Sequence, residues 1–425
     1  MLKKVPRYIF IYIITINLII GLVMVKKAND YKKNKKTLKI KKYDDKVALV
    51  DDINDGINLR LELIKKAEKS LDISYYRIDN SNTSTVFLEE LVRAADRGVK
   101  VRFITNKFNN SFWAKNSWRK EILASHPNID FYYYENPRYN LYKLQDINHD
   151  KVIIADGDYL LTGGRNIGDR FFIKNDKTVK DLEICVKRKS KSSSIDNYKA
   201  YYEKLLGLKT VKKVSPTERS YDSLRNILEE TLKDKNFIKD ESVLEKIAFR
   251  DVKMSFIHNG LGEVVKDPDI GFYLGRLSKS SDSITWISPY LIPTRPVRKL
   301  LNLKKDKKNI DFITNSSKTT PNYPGFGASL SYKSRTEKYG HLYSYQGEGS
   351  IHTKLVLFDD GISAIGSFNL DSRSTFLSTE TMAIVDSDEF QDDLKTYVES
   401  LDRKSFYDAE KDKSPIFKKG NLICF

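Results

Sequence analysis

One five-residue pattern occurs twice in this chain at identical spacing, and it constrains the fold more than any other feature of the sequence. In each copy, Lys, Asp, Gly and Asn follow a His by two, seven, fourteen and seventeen positions. The copies consist of His149, Lys151, Asp156, Gly163 and Asn166, and of His352, Lys354, Asp359, Gly366 and Asn369. The 425 residues include only five His, so chance is a poor explanation for the match. Such a repeat predicts two similar halves that build one site.

Both copies lie on short apolar segments that predict buried strands. The segments 151–155 (KVIIA) and 354–358 (KLVLF) are rich in β-branched and aliphatic residues, and an Asp-Gly turn signal follows each of them. Because side chains two positions apart share one face of a strand, each motif His points the same way as its Lys. An imidazole beside an ammonium, twice over, favours a site for phosphate.

The elements upstream of each copy also recur. Alternating strand and helix signals precede both His residues, with strands at 71–75 and 99–105 in the first half and at 284–288 and 309–314 in the second. This order favours α/β halves with mostly parallel central sheets flanked by helices. The predicted division is an N-terminal segment at 1–42, a first half at 43–210, a charged helical connector at 211–249 and a second half at 250–425.

Positive charge is concentrated at the N-terminus. The formal net charge is +17, yet residues 1–42 alone carry twelve Lys or Arg and one Asp. The remaining 383 residues carry 62 basic and 56 acidic side chains, a nearly even balance. A nucleic-acid-binding domain requires a basic surface on its folded body, so this distribution disfavours nucleic acid as a partner.

The N-terminal segment predicts a membrane anchor. Residues 8–25 form a run of eighteen residues without charge, the lower end of a bilayer span. No small-residue cleavage site follows, which favours an uncleaved anchor over a removed signal peptide, and a buried core helix is the other alternative. The Lys-rich stretch at 26–42 either attracts anionic lipid headgroups or only sets the topology. The side of the membrane on which the body lies stays open.

The duplicated pattern resembles the HxKxxxxD motif of the phospholipase D superfamily, whose two copies meet at a pseudo-two-fold axis. Residues 163–169 (GGRNIGD) and 366–374 (GSFNLDSRS), with Thr379-Glu380 after them, are similar to bacterial C-type cardiolipin synthases. This resemblance implies a phosphatidyltransferase of the bacterial inner membrane with a single-pass anchor. It would transfer a phosphatidyl group to phosphatidylglycerol, from a donor such as phosphatidylglycerol or phosphatidylethanolamine.

The residues support phosphodiester chemistry with no metal or other cofactor. One His attacks phosphorus and the other protonates the leaving alcohol, while Lys151, Lys354, Asn166 and Asn369 hold the non-bridging oxygens. Asp181 and Glu380 precede aligned apolar runs (LEICV and TMAIV), which makes them candidates to orient the imidazoles. The resemblance implies that His149 is the nucleophile, with a phospho-histidine intermediate, and that His352 is the acid and base.

Several alternatives remain open at this point. Asp156 and Asp359 are candidate catalytic residues, but turn bracing is the favoured interpretation. Arg165 either grips a second phosphate or pairs with a structural carboxylate. Asp150 stands where the C-type pattern has Asn. Hydrolysis of phospholipids, as in a phospholipase D, and a metal-independent nuclease are the alternative functions.

Overall fold

A computed structural model describes residues 7–33, 38, 40–108, 110, 117–136, 142–233, 242–303 and 309–405. Its centre is one sixteen-stranded sheet to which both halves contribute eight strands each. An N-terminal helix, α1 (Arg7–Lys33), precedes the sheet.

The first half begins at β1, and its helices start at recognisable caps. The side chain of Asp52 accepts the first backbone N–H groups of α2, and Ser81 and Ser84 form a capping box at α3. Its elements are β1 (Tyr43–Val50), α2 (Ile53–Lys66), β2 (Ser70–Tyr75), α3 (Asn82–Asp96), β3 (Lys100–Asn106), α4 (Trp118–Ser125), β4 (Ile129–Tyr134), β5 (Ile147–Asn148), β6 (Lys151–Ala155), β7 (Tyr159–Gly163), α5 (Asp169–Phe172), β8 (Val179–Lys180), β9 (Glu183–Lys187) and α6 (Ser194–Leu206).

The second half repeats this order after β10 (Val211–Lys213) and α7 (Tyr221–Leu232). Its elements are β11 (Arg250–His258), α8 (Asp269–Ser280), β12 (Ile284–Ile287), α9 (Arg295–Leu300), β13 (Ile310–Asn315), α10 (Tyr323–Thr336), β14 (His341–Tyr345), β15 (Ser350–Ile351), β16 (Leu355–Phe358), β17 (Ile362–Gly366), α11 (Ser372–Phe376), β18 (Ser378–Thr379), β19 (Thr381–Asp386), α12 (Asp388–Glu399) and β20 (Arg403–Ser405).

The strand order is the same when the sheet is read from either end. It runs β10-β4-β3-β2-β6-β7-β9-β1-β11-β19-β17-β16-β12-β13-β14-β20. Each strand of the first half thus corresponds to the strand numbered ten higher in the second. The antiparallel pair of β1 and β11 lies at the centre, where Asp45 is opposite Val252. The predicted α/β class and the pseudo-two-fold relation of the halves are confirmed by this order.

The sheet is mixed, which differs from the expectation of mostly parallel strands. Parallel pairing holds for β2, β3 and β4 and for the equivalent β12, β13 and β14. The motif strands β6 and β7 and their equivalents β16 and β17 are antiparallel hairpins. The Asp-Gly turns cause this difference, because each hairpin loop has only three residues and so short a loop can join only antiparallel neighbours.

Three apolar clusters cover the faces of the sheet. One lies under α2, α3, α4 and α7 of the first half, and a second is shared by both halves under α6 and α12. The third lies in the second half and includes residues of α8, α9 and α1. The shared cluster buries the centre of the sheet, so the two halves form a continuous core.

The N-terminal helix is long and apolar enough to cross a membrane over Ile11–Tyr31, which makes it a candidate anchor. It also packs on the body, since a stripe at the spacing of successive turns is buried in the third cluster. That stripe consists of Ile16, Ile20, Met24, Ala28 and Tyr31. Lys27 contacts Glu263 at 2.5 Å and Asp267 at 3.0 Å. The candidate anchor is therefore also part of the third apolar cluster of the folded body.

Candidate active site

Two short β-ladders join the halves and bring each motif His next to an acidic residue of the other half. β5 immediately precedes His149 and pairs in parallel with β18, which immediately precedes Glu380. β15 immediately precedes His352 and pairs in the same way with β8, which is followed by Asp181. In each ladder, the residue that follows one strand is a motif His, and the residue that follows its partner strand is an acidic residue. The two side chains are therefore brought close together.

Each imidazole is held through Nδ1 by the carboxyl group of the opposite half. His149 Nδ1 lies 2.9 Å from Glu380 Oε2, and His352 Nδ1 lies 2.6 Å from Asp181 Oδ2. The sequence prediction named both carboxyl groups but not this crossed pairing. Because Nδ1 is occupied in both rings, Nε2 is the nitrogen available to a substrate.

The two motif lysines lie beside the imidazoles, as the period of two predicts. Lys151 Nζ donates to the backbone oxygen of His149 at 2.6 Å, and Lys354 Nζ lies 2.9 Å from His352 Nδ1. Each lysine is 1% exposed. Burial lowers the pKa of Lys151 to about 7 and that of Lys354 to about 8. An anion beside these amines would favour their charged form, so the site suits a phosphate group.

The surroundings of both imidazoles favour their neutral form. Burial, with the charges of the motif lysines, places the pKa of His149 well below its usual value and lowers that of His352 to about 3. The carboxyl groups differ from one another. Burial raises the pKa of Glu380 to about 8. Burial also acts on Asp181, but the charge of Lys354 and the contact with His352 hold its pKa below the usual value.

The two predicted phosphate-binding amides are buried at equivalent positions of the halves. Asn166 and Asn369 are 3% and 4% exposed, and the Oδ1 atom of each is buried without a hydrogen-bond partner among the described residues. Asn369 Nδ2 lies 3.4 Å from the hydroxyl of Tyr290, which is a long contact. Buried side-chain oxygens normally have partners, so these two at equivalent positions are candidates to accept a hydrogen bond from a bound molecule.

The glycines of the motif permit close approach of strands. A Cβ at Gly163 would lie 2.5 Å from the oxygen of Leu182, and one at Gly366 would lie 2.2 Å from the oxygen of Thr381. The next position differs between halves. A Cβ at Gly164 would lie 2.2 Å from Asp181 Oδ1, so a side chain there would displace this carboxylate.

The equivalent residue of the second half is Ser367. Its hydroxyl donates a short hydrogen bond to Glu380 Oε2. The shorter carboxylate is thus next to Gly164 and the longer one next to Ser367.

Asp156 and Asp359 lie at the far ends of the motif strands, roughly 15 Å along the strand from the lysines. Asp156 accepts the backbone N–H groups of Glu68, Lys69 and Ser70 at 2.8–2.9 Å. Asp359 accepts those of residues 282 and 283 at 2.6 and 3.1 Å. Both carboxylates brace turns by accepting backbone N–H groups. Their inclusion among the candidate catalytic residues is therefore corrected.

Arg165 is fully buried in the frame of the site. It donates to the backbone oxygens of Val50 and Asp181 at 3.0 and 2.7 Å and lies 3.2 Å from Glu183 Oε2. Glu183 also pairs with buried Arg60. Of the two alternatives for Arg165, the structure shows pairing with a structural carboxylate, that of Glu183.

Sequence reasoning missed a pair of asparagines that position the motif loops. Asn106 Nδ2 contacts the backbone oxygen of Tyr76 at 3.2 Å, and its Oδ1 accepts the N–H of Asn148 at 3.1 Å. Asn315 makes equivalent contacts with Pro289 and Ile351, at 2.9 and 2.8 Å. The signal was present, since both lie at the end of an identical tetrapeptide, FITN.

A pair of arginines was missed as well. Arg170 and Arg373 each follow their motif His by 21 positions, so the repeat extends four residues beyond Asn. Arg373 is exposed, and Arg170 is partly exposed. Extension of the spacing comparison past the Asn would have found them.

The middle residues of the two motifs point away from the lysines and contact tyrosines. Asp150 is fully buried, and its Oδ2 accepts the hydroxyl of Tyr201 at 2.5 Å. Thr353 makes the equivalent contact with Tyr397 at 2.5 Å. Burial raises the pKa of Asp150 to about 7. Asp150 thus lies on the side of the strand opposite the lysines.

Comparisons with known proteins identify the family of this chain. The family described as cardiolipin synthase, PLD-like domain, matches residues 61–206 and 273–401. Cardiolipin synthase C of Escherichia coli is 23% identical over 84% of this chain and 83% of its own. The minor cardiolipin synthase ClsB of Bacillus subtilis is 22% identical over 83% and 80%. The crystal structure of phosphatidylserine synthase from Haemophilus influenzae has a TM-score of 0.63 at 15% identity, covering 86% of this chain and 88% of that one.

An uncharacterised protein of Helicobacter pylori is also similar, at 26% identity over 80% of this chain and 76% of its own. Both matched segments of the family contain one complete motif copy. Each half of the chain is therefore one phospholipase D-like unit.

Proposed function

We propose, since this chain belongs to the family of cardiolipin synthases with a phospholipase D-like domain, that it transfers a phosphatidyl group to the free hydroxyl of phosphatidylglycerol. The family makes the chain a phosphatidyltransferase. The observation that carries the finer reaction is the crossed arrangement of two imidazoles, each oriented by a carboxyl group of the other half.

In the first step, Nε2 of His149 attacks the phosphorus of the donor lipid. A P–N bond forms and the bond from phosphorus to the headgroup oxygen breaks. His352, which takes up a proton at Nε2 when the negatively charged phosphodiester binds beside it, gives that proton to the leaving oxygen. Glu380 fixes the orientation of the attacking ring through Nδ1. The charge that builds on the non-bridging oxygens faces Lys151 and Lys354, which lie on the same face as the imidazoles.

In the second step, His352 takes the proton of the incoming hydroxyl, whose oxygen attacks the phospho-histidine. The P–N bond breaks and the phosphatidyl group passes to the acceptor. One phosphodiester replaces another, so no nucleotide is consumed, and the direction follows the amounts of the lipids. Asp181 holds the ring of His352 and stabilises its protonated form.

Water competes with the lipid hydroxyl for the intermediate. The candidate anchor α1 packs beside α9, and α9 follows directly on the segment 288–294 that contacts Asn369 through Tyr290. Residence at a membrane would place a lipid rather than bulk water at this wall of the site. This supports transfer over hydrolysis.

The full chain in phosphatidylglycerol bilayers should form cardiolipin and glycerol in equal amounts. His149→Ala and His352→Ala should each abolish both products, whereas His341→Ala, an exposed histidine at the start of β14, should not. Acid-labile label from labelled donor should be trapped on the His149 peptide. Phosphatidic acid as the dominant product would establish a hydrolase instead, and label on the His352 peptide would reverse the two roles.

A further inference from the structure

Arg170 and Arg373 occupy equivalent places next to the two imidazoles. Arg170 lies on α5 and Arg373 on α11, the short helices that follow the loops of Asn166 and Asn369. A phosphodiester in transfer carries one negative charge, and the two motif lysines already face it. The two arginines therefore add positive charge beyond what the reacting phosphate requires.

Arg170 lies on the side of His352. Its guanidinium is 4.7 Å from the ring of Phe171, and that ring packs edge-on against the imidazole of His352 at 5.6 Å. Its Nε is buried and has no hydrogen-bond partner in the part of the chain that the structure describes. The nearest carboxylate, Asp79, is 3.7 Å away and is held more closely by Arg77, at 2.5 Å. The single carboxylate of Asp79 thus faces two guanidinium groups, and the net charge of these three side chains is positive.

Arg373 lies on the other side of the site. Its Nη2 donates to Gln145 Oε1 at 3.2 Å, and its charge contributes to the lowered pKa of His149. The two arginines consequently flank the reacting phosphorus from opposite sides, one near each histidine.

We propose that Arg170 binds the phosphodiester of the acceptor, so that the acceptor class is an anionic phospholipid rather than any alcohol. This inference rests on the proposed function, in which the acceptor hydroxyl must approach the base. The base is His352, opposite the nucleophile. Arg170 is the cation on that side, and its contact with Asp79 is long, at 3.7 Å. A planar guanidinium accommodates a phosphate through two parallel hydrogen bonds.

The test places two acceptors in one reaction. Labelled phosphatidylglycerol in bilayers with added ethanol should yield cardiolipin and phosphatidylethanol, and their ratio reports acceptor choice alone. Arg170→Gln should lower this ratio about 10- to 100-fold, the value of one lost charge-assisted contact. Arg170→Lys should fall between Gln and wild type, because it keeps the charge but not the paired donors.

Arg373→Gln is the matched comparison, and Arg93→Gln on α3 controls for a general loss of surface charge. Both should change the ratio less than about threefold. An unchanged ratio in Arg170→Gln with both products still formed would overturn the subsite alone. A selective loss in Arg373→Gln would place the acceptor on the wrong side and overturn it as well. Phosphatidic acid as the only product of the wild type would refute the transferase function and the acceptor site together.

Discussion

Substitution of Gly164 by Ser tests how the carboxylates orient the histidines. A Cβ at this position would lie 2.2 Å from Oδ1 and 2.4 Å from Oδ2 of Asp181. A non-bonded carbon and oxygen need well over 3 Å, so the carboxylate must retreat by roughly 1 Å. The backbone at Gly164 cannot yield easily, because its N–H contacts the oxygen of Leu182 at 3.3 Å.

A retreat of that size removes the hold on His352. The distance between Nδ1 and Oδ2 is 2.6 Å, and an added 1 Å takes it beyond hydrogen-bond range. A charge-assisted hydrogen bond contributes about 1.5–3 kcal/mol. If that contribution acts in the transition state, Gly164→Ser should lower kcat about 10- to 150-fold. Overpacking should also lower the free energy of unfolding by about 1–3 kcal/mol.

The assay is the rate of cardiolipin formation by the folded full chain, with folding followed by thermal unfolding. Gly327→Ser is the matched control, since a Cβ there meets nothing within 4 Å. The double variant Gly164→Ser with Asp181→Glu rebuilds the combination of Ser367 and Glu380, so it should recover part of the lost turnover. A folded single variant within twofold of wild type would refute the reasoning, and so would a double variant no better than the single one.

Three further results are expected. Asp156→Ala should lower the free energy of unfolding by about 1–3 kcal/mol, because three backbone N–H groups lose their acceptor; turnover per folded molecule should stay within twofold, and a complete loss of turnover would restore the residue to the catalytic set. Sulfate should raise the melting temperature more at pH 6 than at pH 9, because Lys151 and Lys354, with pKa values of about 7 and 8, are charged at the lower pH and neutral at the higher one; an equal rise at both values would contradict the assignment. Removal of residues 1–40 should destabilise the body, measured by its denaturant midpoint, because the stripe of α1 leaves the third cluster; an unchanged midpoint would show that α1 is only a tether.

Much of the candidate site followed from local rules. Placement of each His with its Lys on one face required only the period of a strand, and the structure has that arrangement at His149 and Lys151. The repeat predicted equivalent halves, and the strand order confirms them. The same comparison carried four positions further would have reached Arg170 and Arg373. Local pattern succeeds here because strand geometry is set by neighbouring residues.

Other features depended on contacts between distant residues. His149 and Glu380 are 231 positions apart, and His352 and Asp181 are 171 apart. Nothing in either segment indicates a partner in the opposite half. Their pairing results from the two short ladders, whose register exists only when both halves share one sheet.

By itself, the sequence determined the chemistry that is present twice: which side chains occur, at which spacing, and on which face of a strand. The tertiary structure decided how those groups act together. It crossed the carboxyl groups between halves, buried Lys151 and Lys354 so that their pKa values fall toward neutrality, and separated Asp156 from the site. The physical reason is that burial and partner choice are properties of packing between remote segments, whereas periodicity is a property of the chain alone.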